Sequence, residues 1–229
     1  MGDLATELMS DLDSKISFII PIFGGIPIPN SVVVTWGIMA FLMILTLVFV
    51  RNLKMVPTGA QVYVEYAVGA INGIFEEILG EEGKRYVPYL ATVILYLGCA
   101  NLIGLFGITP PTKDLNITAG LAIMSIILIE YSGIHQKGTK KWIKSFTEPM
   151  AILAPINLME TFIRPVSLCM RLFGNILGGF VVMELIKIAV PLIVPIPFSL
   201  YFDVFDGLIQ AYIFVFLTSL FMKEKMESY

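Results

Sequence analysis

Long uncharged segments constrain this chain more than any other feature of its sequence. Ser31 to Val50 contains 20 consecutive residues without a charge, and about 20 apolar residues in a helix cross the roughly 30 Å hydrocarbon core of a bilayer. Hydrophobic residues make up 57% of the chain and charged residues only 14%, whereas about a quarter of the residues in a soluble domain are charged. The expected fold class is therefore an all-α polytopic membrane protein.

The pattern predicts an external arm and one membrane domain. Residues 1–30 open with acidic side chains and continue as an irregular apolar approach to the membrane, unlike the basic start of a cleavable signal. Residues 31–229 are expected to form a single membrane domain, whose first spans lie at about 31–50, 86–108 and 115–134. A basic loop should follow the third span and hold His135 in solvent, where it is not expected to bind a ligand or relay a proton.

Residues 57–83 show a different periodicity. Apolar side chains recur at helical spacing, while Glu65, Asn72 and Glu76 fall on the opposite side. This pattern is typical of an amphipathic helix that lies on the membrane surface. An ordinary helix packed on a soluble partner is the alternative.

The distribution of positive charge predicts the orientation. With these spans, ten of the fifteen Lys and Arg fall on one side of the membrane, and only Lys15 and Lys113 fall on the other. Positive loops are retained in the cytoplasm. The N-terminus is therefore expected outside and the C-terminus in the cytoplasm.

The last third of the chain departs from the ordinary membrane pattern. Residues 148–190 are apolar and helix-competent, and about 40 residues make roughly 60 Å of helix, twice the hydrocarbon thickness. Two spans or one steeply tilted helix could account for this length, and the lack of a polar turn favours one helix. Pro191–Pro197 is expected to break it, and residues 198–222 to return. The prediction is a long, strongly tilted helical hairpin.

Two arginines lie inside this hairpin. A guanidinium keeps its charge in proteins, and at the centre of a bilayer it costs about 2.5–3.5 kcal/mol on insertion scales. Helical spacing places a charged and small-residue stripe on one face, consisting of Glu160, Arg164, Ser167, Arg171, Gly174 and Gly178, with Asn175 beside it. Small residues let another helix approach closely. The stripe indicates an ion or substrate path, although Glu160 and Arg164 could instead form an internal structural pair.

Further polar groups lie near the outer end of the hairpin. Asp203, Asp206 and Gln210 share a face of the returning helix, and Glu184 and Lys187 lie near the outer end of the first helix. Other chemistry is not expected: the two cysteines form no metal or disulfide pattern, and no Gly-rich phosphate loop is present. We expect no cofactor, no stably bound metal, no nucleic acid and no direct ATP binding.

The run Arg171–Asn175, preceded by Pro165–Leu168, closely resembles subunit a of F-type ATP synthases, as does Gln210–Phe214. The similarity covers about residues 25–225. It implies a non-catalytic stator subunit of the bacterial cell membrane that forms two half-channels against a ring of c subunits and contacts the b subunits of the peripheral stalk. Arg171 would meet each rotor carboxylate and block direct leakage.

The resemblance also implies roles for the neighbouring groups. Gln210 would lie opposite Arg171, Asn175 is the asparagine of the same motif, and Glu160 and Arg164 would line the route to the cytoplasmic exit. Ser167, Gly174 and Gly178 would face the rotor.

One departure from the family pattern concerns the transported ion. Some members have a glutamate and a histidine where this chain has Phe180 and Asp203, and an acid occurs instead at Glu184. An outer path with Glu184, Asp203 and Asp206 offers oxygen ligands, which suit a hard cation. This favours Na⁺ over H⁺, although carboxylates also carry protons. A secondary cation transporter is the alternative, but such proteins usually show paired inverted halves, and no internal repeat is seen here.

Overall fold

The fold is described from a computed structural model for residues 16–20, 26–51, 54, 56, 59–146, 152, 154–189 and 195–227. Helices dominate these residues, and five helical segments are long and apolar enough to cross a membrane: Asn30–Val50, Gln61–Phe106, Leu115–Lys137, Ala154–Ile188 and Pro195–Met226. The predicted fold class, an all-α polytopic membrane protein, is confirmed.

The elements follow one another along the chain with short connections. The strands are β1 (Ile16–Ile20) and β2 (Ile26–Pro29). The α-helices are α1 (Asn30–Val50), α2 (Ala60–Gly83), α3 (Val87–Leu102), α4 (Leu115–Lys137), α5 (Thr139–Ser145), α6 (Ala154–Ala189), α7 (Pro195–Ser199) and α8 (Gly207–Met226). Short 3₁₀ turns occupy Lys84–Tyr86, Ile103–Phe106 and Pro111–Lys113, and a π-helix occupies Leu200–Asp206.

The approach to α1 is a β-hairpin. Strands β1 and β2 pair antiparallel, with Ile16 opposite Pro29 and an irregularity in register between Ile16 and Phe18. The expectation of an irregular approach is wrong for these strands, because isoleucine and phenylalanine fit a pleated surface well. The acidic arm expected at the N-terminus falls on residues 1–15, which lie outside the described residues.

Helix α2 has the sequence of the expected surface helix and is interrupted near its end. Gly80 has φ 67° and ψ −170°, a conformation that glycine adopts at little cost. Tyr63 and Tyr66 are each 79% exposed, whereas Phe75 is only 1% exposed. The two-sided character of this helix is therefore present, and its location on the membrane surface stays a prediction.

The expected basic loop is mostly helical. Lys137 ends α4, Gly138 turns the chain with φ 78°, and Thr139–Ser145 form α5. Trp142 gives this helix an anchor, since its indole N–H donates to Glu130 over 2.9 Å. His135 lies in α4, where it stacks on Tyr131 and contacts the Arg85 guanidinium. It is exposed as expected, but not in a loop.

The C-terminal region contains one long helix instead of two short ones. Helix α6 runs for 36 residues with Pro165 inside it, which corresponds to about 54 Å. Residues 190–194 lie outside the described residues. Helix α6 ends at Ala189, just before the segment Pro191–Pro197 that was expected to break it. Pro195 and Pro197 themselves lie in the first turn of α7, where a missing N–H costs little. The tilt of this hairpin stays a prediction.

The chain divides into two compact units. The first consists of the described residues within 1–43, 96–118 and 171–211, and the second of those within 44–95, 119–170 and 212–229. Buried apolar side chains of the first unit include Leu97, Ala100, Leu172 and Ala211. Those of the second include Phe75, Leu90, Ile129, Leu168, Phe214 and Met222. Helix α1 buries only Ile38, as expected of a helix whose apolar side chains face lipid.

Candidate functional site

The small-residue stripe of α6 is open along its length. Ser167, Arg171, Gly174, Asn175 and Gly178 are all exposed. A methyl group added at Gly174 or Gly178 would meet no atom within 4 Å. The adjoining face of the helix is buried through Leu168, Leu172, Ile176 and Met183. Helix α6 therefore packs on its apolar side and leaves the stripe uncovered.

Arg171 is the charged group of this stripe in the first unit. Within the described part of the chain, its guanidinium makes no hydrogen bond and no ion pair. An arginine stays protonated and offers five N–H donors, so its charge is available to a group outside the chain. The sequence predicted that Arg171 lies among small residues, and the structure shows that the surface around these residues is not covered by other parts of the described chain.

Asn175 and Gln210 join the two helices of the hairpin. The side-chain amide of Asn175 donates a 2.7 Å hydrogen bond to Oε1 of Gln210, which is 1% exposed. Nε2 of Gln210 is buried and has no partner among the described residues. A buried amide donor without a partner costs free energy, so this position carries a local cost in stability.

A cavity of about 700 Å³ with both apolar and polar walls lies in the first unit beside these residues. Its polar lining includes Asn101, Asp114, Asn175, Glu184, Asp203 and Asp206. The three acids that the sequence assigned to an outer path, Glu184, Asp203 and Asp206, thus share one cavity. Asn175, which follows Arg171 by one helical turn, belongs to the same lining.

The acids of the cavity have different partners. Glu184 pairs with Lys187 over 2.7 Å, and Asp203 accepts a 2.6 Å hydrogen bond from the Ser199 hydroxyl. Asp206 is half-buried and, within the described residues, has no hydrogen bond or ion pair. The π-helix brings Asp203 and Asp206 to this cavity, and such helices occur frequently at functional sites.

Phe180, where some family members have an acid, has a defined contact here. The ammonium of Lys113 lies 3.7 Å from the centre of the Phe180 ring, and both residues line the cavity. A cation over an aromatic face is held by the ring quadrupole. Phe180 therefore holds a lysine beside it, a contact that the sequence alone did not predict.

Arg164 belongs to a separate cluster in the second unit. Its Nη2 lies 2.8 Å from Glu160 and 2.7 Å from Glu224, and its guanidinium is 4.7 Å from the centre of the Phe221 ring. The pairing with Glu160 agrees with the one-turn spacing. Glu224 was missed, because no local pattern reports a contact across 60 residues.

A buried polar residue of the cavity wall, Asn101, and its hydrogen-bond partner Thr112 were also missed. Asn101 is 1% exposed and Thr112 is 0% exposed. Asn101 donates to the Gly207 carbonyl over 2.7 Å and accepts from the Thr112 hydroxyl over 2.9 Å. A single asparagine within the apolar span 86–108 was the signal that could have found it.

No His, Cys, Asp and Glu side chains in the described ranges form a group of three or more that could hold a metal ion. The oxygen atoms that line the cavity are still of the type that hard cations prefer.

Fold and site together define a multi-pass helical membrane protein that keeps an available positive charge and an acid-lined cavity among apolar helices. Charged groups retained within membrane helices mark ion or substrate pathways.

Comparison with known proteins gives the family. Residues 32–223 match the family model described as ATP synthase A chain. The chain is 39% identical over 196 residues to ATP synthase subunit a of Moorella thermoacetica, covering 85% of this chain and 89% of that relative. It is 33% identical over 215 residues to the sodium ion specific ATP synthase subunit a of Propionigenium modestum, covering 87% and 74%. ATP synthase subunit a of Geobacter sulfurreducens is 36% identical over 203 residues, covering 86% and 88%.

The chain therefore belongs to the ATP synthase subunit a family. It is an ion-translocating membrane subunit of the Fo sector.

Proposed function

We propose that this chain is the stator half of a rotary ion path, in which Arg171 separates two half-channels and faces the c-ring of the same complex. The observation that carries the proposal is the exposed guanidinium of Arg171, which has no partner within the described residues. Other charges of the hairpin, such as Arg164 and Lys187, are paired.

The open stripe explains how a rotor carboxylate would reach Arg171. Gly174 and Gly178 leave space beside it, and small residues permit close helix approach in lipid. Two unit charges 4 Å apart attract by about 4 kcal/mol at an effective dielectric constant of 20. The same charge repels a free cation, so Arg171 would displace the ion bound to a carboxylate and also prevent direct leakage.

The cavity supplies one of the two half-channels in this proposal. It reaches from Ser31, at the start of α1, to Asn175, one turn from Arg171. The positive-charge distribution puts the start of α1 outside, so the cavity would be the outer half-channel. Glu160 and Arg164 would line the route to the cytoplasm.

The coupling ion is proposed to be Na⁺. The support is the chemistry of the cavity, whose acidic lining includes Glu184, Asp203 and Asp206 without a histidine, together with a relative that is named as sodium ion specific. We expect ATP hydrolysis by the assembled enzyme to rise on addition of Na⁺ at neutral to alkaline pH, with choline as the cation control. A rate that does not respond to Na⁺ would reject the sodium assignment and leave H⁺ as the coupling ion.

The remaining features of the proposal concern the assembly. The subunit itself is non-catalytic, ATP is bound by other subunits, and the peripheral-stalk b subunits and the lipid bilayer are its other contacts. The expected location is the bacterial cell membrane, with the N-terminus outside and the C-terminus in the cytoplasm.

ATP-driven ion uptake into sealed vesicles tests the role of Arg171. Arg171→Ala should abolish uptake in an enzyme that is still assembled, whereas Lys140→Ala, which removes an exposed charge of α5, should pump normally. Arg171→Lys should retain part of the uptake, because it keeps the charge but loses the guanidinium geometry. Unchanged pumping by Arg171→Ala would refute the proposed function.

A further inference from the structure

Gly104 lies directly against the carboxylate of Asp203. A Cβ atom added at Gly104 would lie 2.7 Å from Oδ1 of Asp203 and 3.1 Å from its Cγ. Carbon and oxygen atoms that are not bonded do not approach this closely, so the carboxylate occupies the space that any side chain at position 104 would need. Both residues line the acidic cavity of the first unit.

Other contacts hold Asp203 in this place. Its Oδ2 accepts a 2.6 Å hydrogen bond from Ser199. The π-helix that carries Asp203 ends next to Gly207, whose carbonyl accepts from the buried Asn101. Asn101 and Gly104 lie three residues apart in the same segment. Asn101 holds the end of the π-helix through Gly207, and Gly104 leaves room for the carboxylate of Asp203.

We propose that Gly104 is a positioning residue of the ion path: the missing side chain lets the carboxylate of Asp203 stand at one defined point of the cavity wall. This inference rests on the proposed function, because it treats the cavity as a route for a cation. It goes beyond that function by assigning a role to a residue without any polar group.

The geometry predicts that a side chain at position 104 moves the carboxylate and not the backbone. The three nearest atoms that it would meet belong to the end of the Asp203 side chain, which can rotate away. Gly104 also lacks the positive φ that would make a substitution strained. Gly104→Ala should therefore fold and assemble while it displaces the charge.

The first test compares two alanine substitutions in the assembled enzyme. Gly104→Ala should lower ATP-driven ion uptake about tenfold, since a displacement of about 1 Å in a positioned group can cost up to about a hundredfold in rate. It should also raise the Na⁺ concentration, or the proton concentration, that gives half-maximal uptake. Gly98→Ala is the matched control, because its Cβ would lie at an ordinary 3.8 Å from Leu208. Wild-type uptake and ion dependence in Gly104→Ala would overturn the proposal.

The second test transfers the carboxylate from position 203 to position 104, on the opposite side of the contact between these two residues. Asp203→Ala and Gly104→Asp should each reduce uptake, the first by removing the carboxylate and the second by crowding two carboxylates together. The double variant, Gly104→Asp with Asp203→Ala, should recover uptake above both single variants, because it returns one carboxylate to nearly the same point. Recovery supports a positional role, and a double variant no better than Asp203→Ala overturns it.

Arg171→Ala, measured in parallel, separates the two levels of inference. If Arg171→Ala pumps normally, the ion path itself is wrong. If Arg171→Ala is inactive while Gly104→Ala behaves as wild type, the path stands and the role of Gly104 is rejected.

Discussion

The amide of Asn175 on α6 donates a 2.7 Å hydrogen bond to Oε1 of Gln210 on α8. The two residues are 35 positions apart, and Asn175 lies one helical turn from Arg171. Burying an amide away from water costs free energy unless the amide forms a hydrogen bond in the protein. This hydrogen bond offsets that cost for both side chains. The pair therefore fixes the spacing of the two helices beside the available charge.

A double-mutant cycle tests this bond. Asn175→Ala and Gln210→Ala should each lower the free energy of unfolding by about 1–3 kcal/mol, since each leaves a polar group without its partner. The double variant should cost less than the sum of the two. Thermal unfolding of the detergent-solubilised subunit gives all four values. Strictly additive losses would show that the two amides do not interact.

Removal of Arg164 should destabilise the second unit more than removal of either of its acidic partners. Arg164→Ala loses two ion pairs and the contact with Phe221, for an expected cost of about 1–3 kcal/mol. Glu160→Ala and Glu224→Ala leave one pair intact and are about half exposed, so each should cost about 0.2–1 kcal/mol. The same unfolding assay measures the order. Equal effects of all three substitutions would contradict this cluster.

Alanine substitutions at Gly138, which follows α4, and at Gly120, within α4, should change stability in different ways. Gly138 has φ 78° and ψ 155°, a backbone conformation that is essentially restricted to glycine and costs another residue about 1–3 kcal/mol. Gly120 has open space and no positive φ, so Gly120→Ala should be neutral or stabilising. Hydrogen exchange of α5 amides would report the effect of Gly138→Ala as faster exchange. Unchanged protection in that variant would mean that the turn before α5 is not needed.

The sequence predicted the parts of this molecule that depend on local pattern. Uncharged length predicts the helices that can cross a membrane, and one-turn spacing predicts the pair Glu160–Arg164. The same spacing placed Arg171 on a stripe with Gly174 and Gly178. These features need only the period of a helix and the cost of a charge in lipid.

The remaining features depend on contacts between distant segments. Helix α5 forms in a segment that was expected to be a loop. The hydrogen bond from Trp142 to Glu130 holds this helix against α4, and local sequence does not predict that contact. The π-helix was not predicted, because its residues have no spacing that distinguishes them from an α-helix. The contact of Gly104 with Asp203 joins positions 99 residues apart in sequence, so only the folded chain shows it.

Passive ion flow through Arg171→Ala vesicles tests the central claim most directly. With an imposed ion gradient and no ATP, the variant should leak ions faster than wild type, because the positive charge that repels a free cation is gone. ATP-driven uptake should be absent in the same vesicles, and Lys140→Ala should match wild type in both measurements. Wild-type tightness together with normal ATP-driven uptake in Arg171→Ala would show that Arg171 neither separates the half-channels nor takes part in ion transfer.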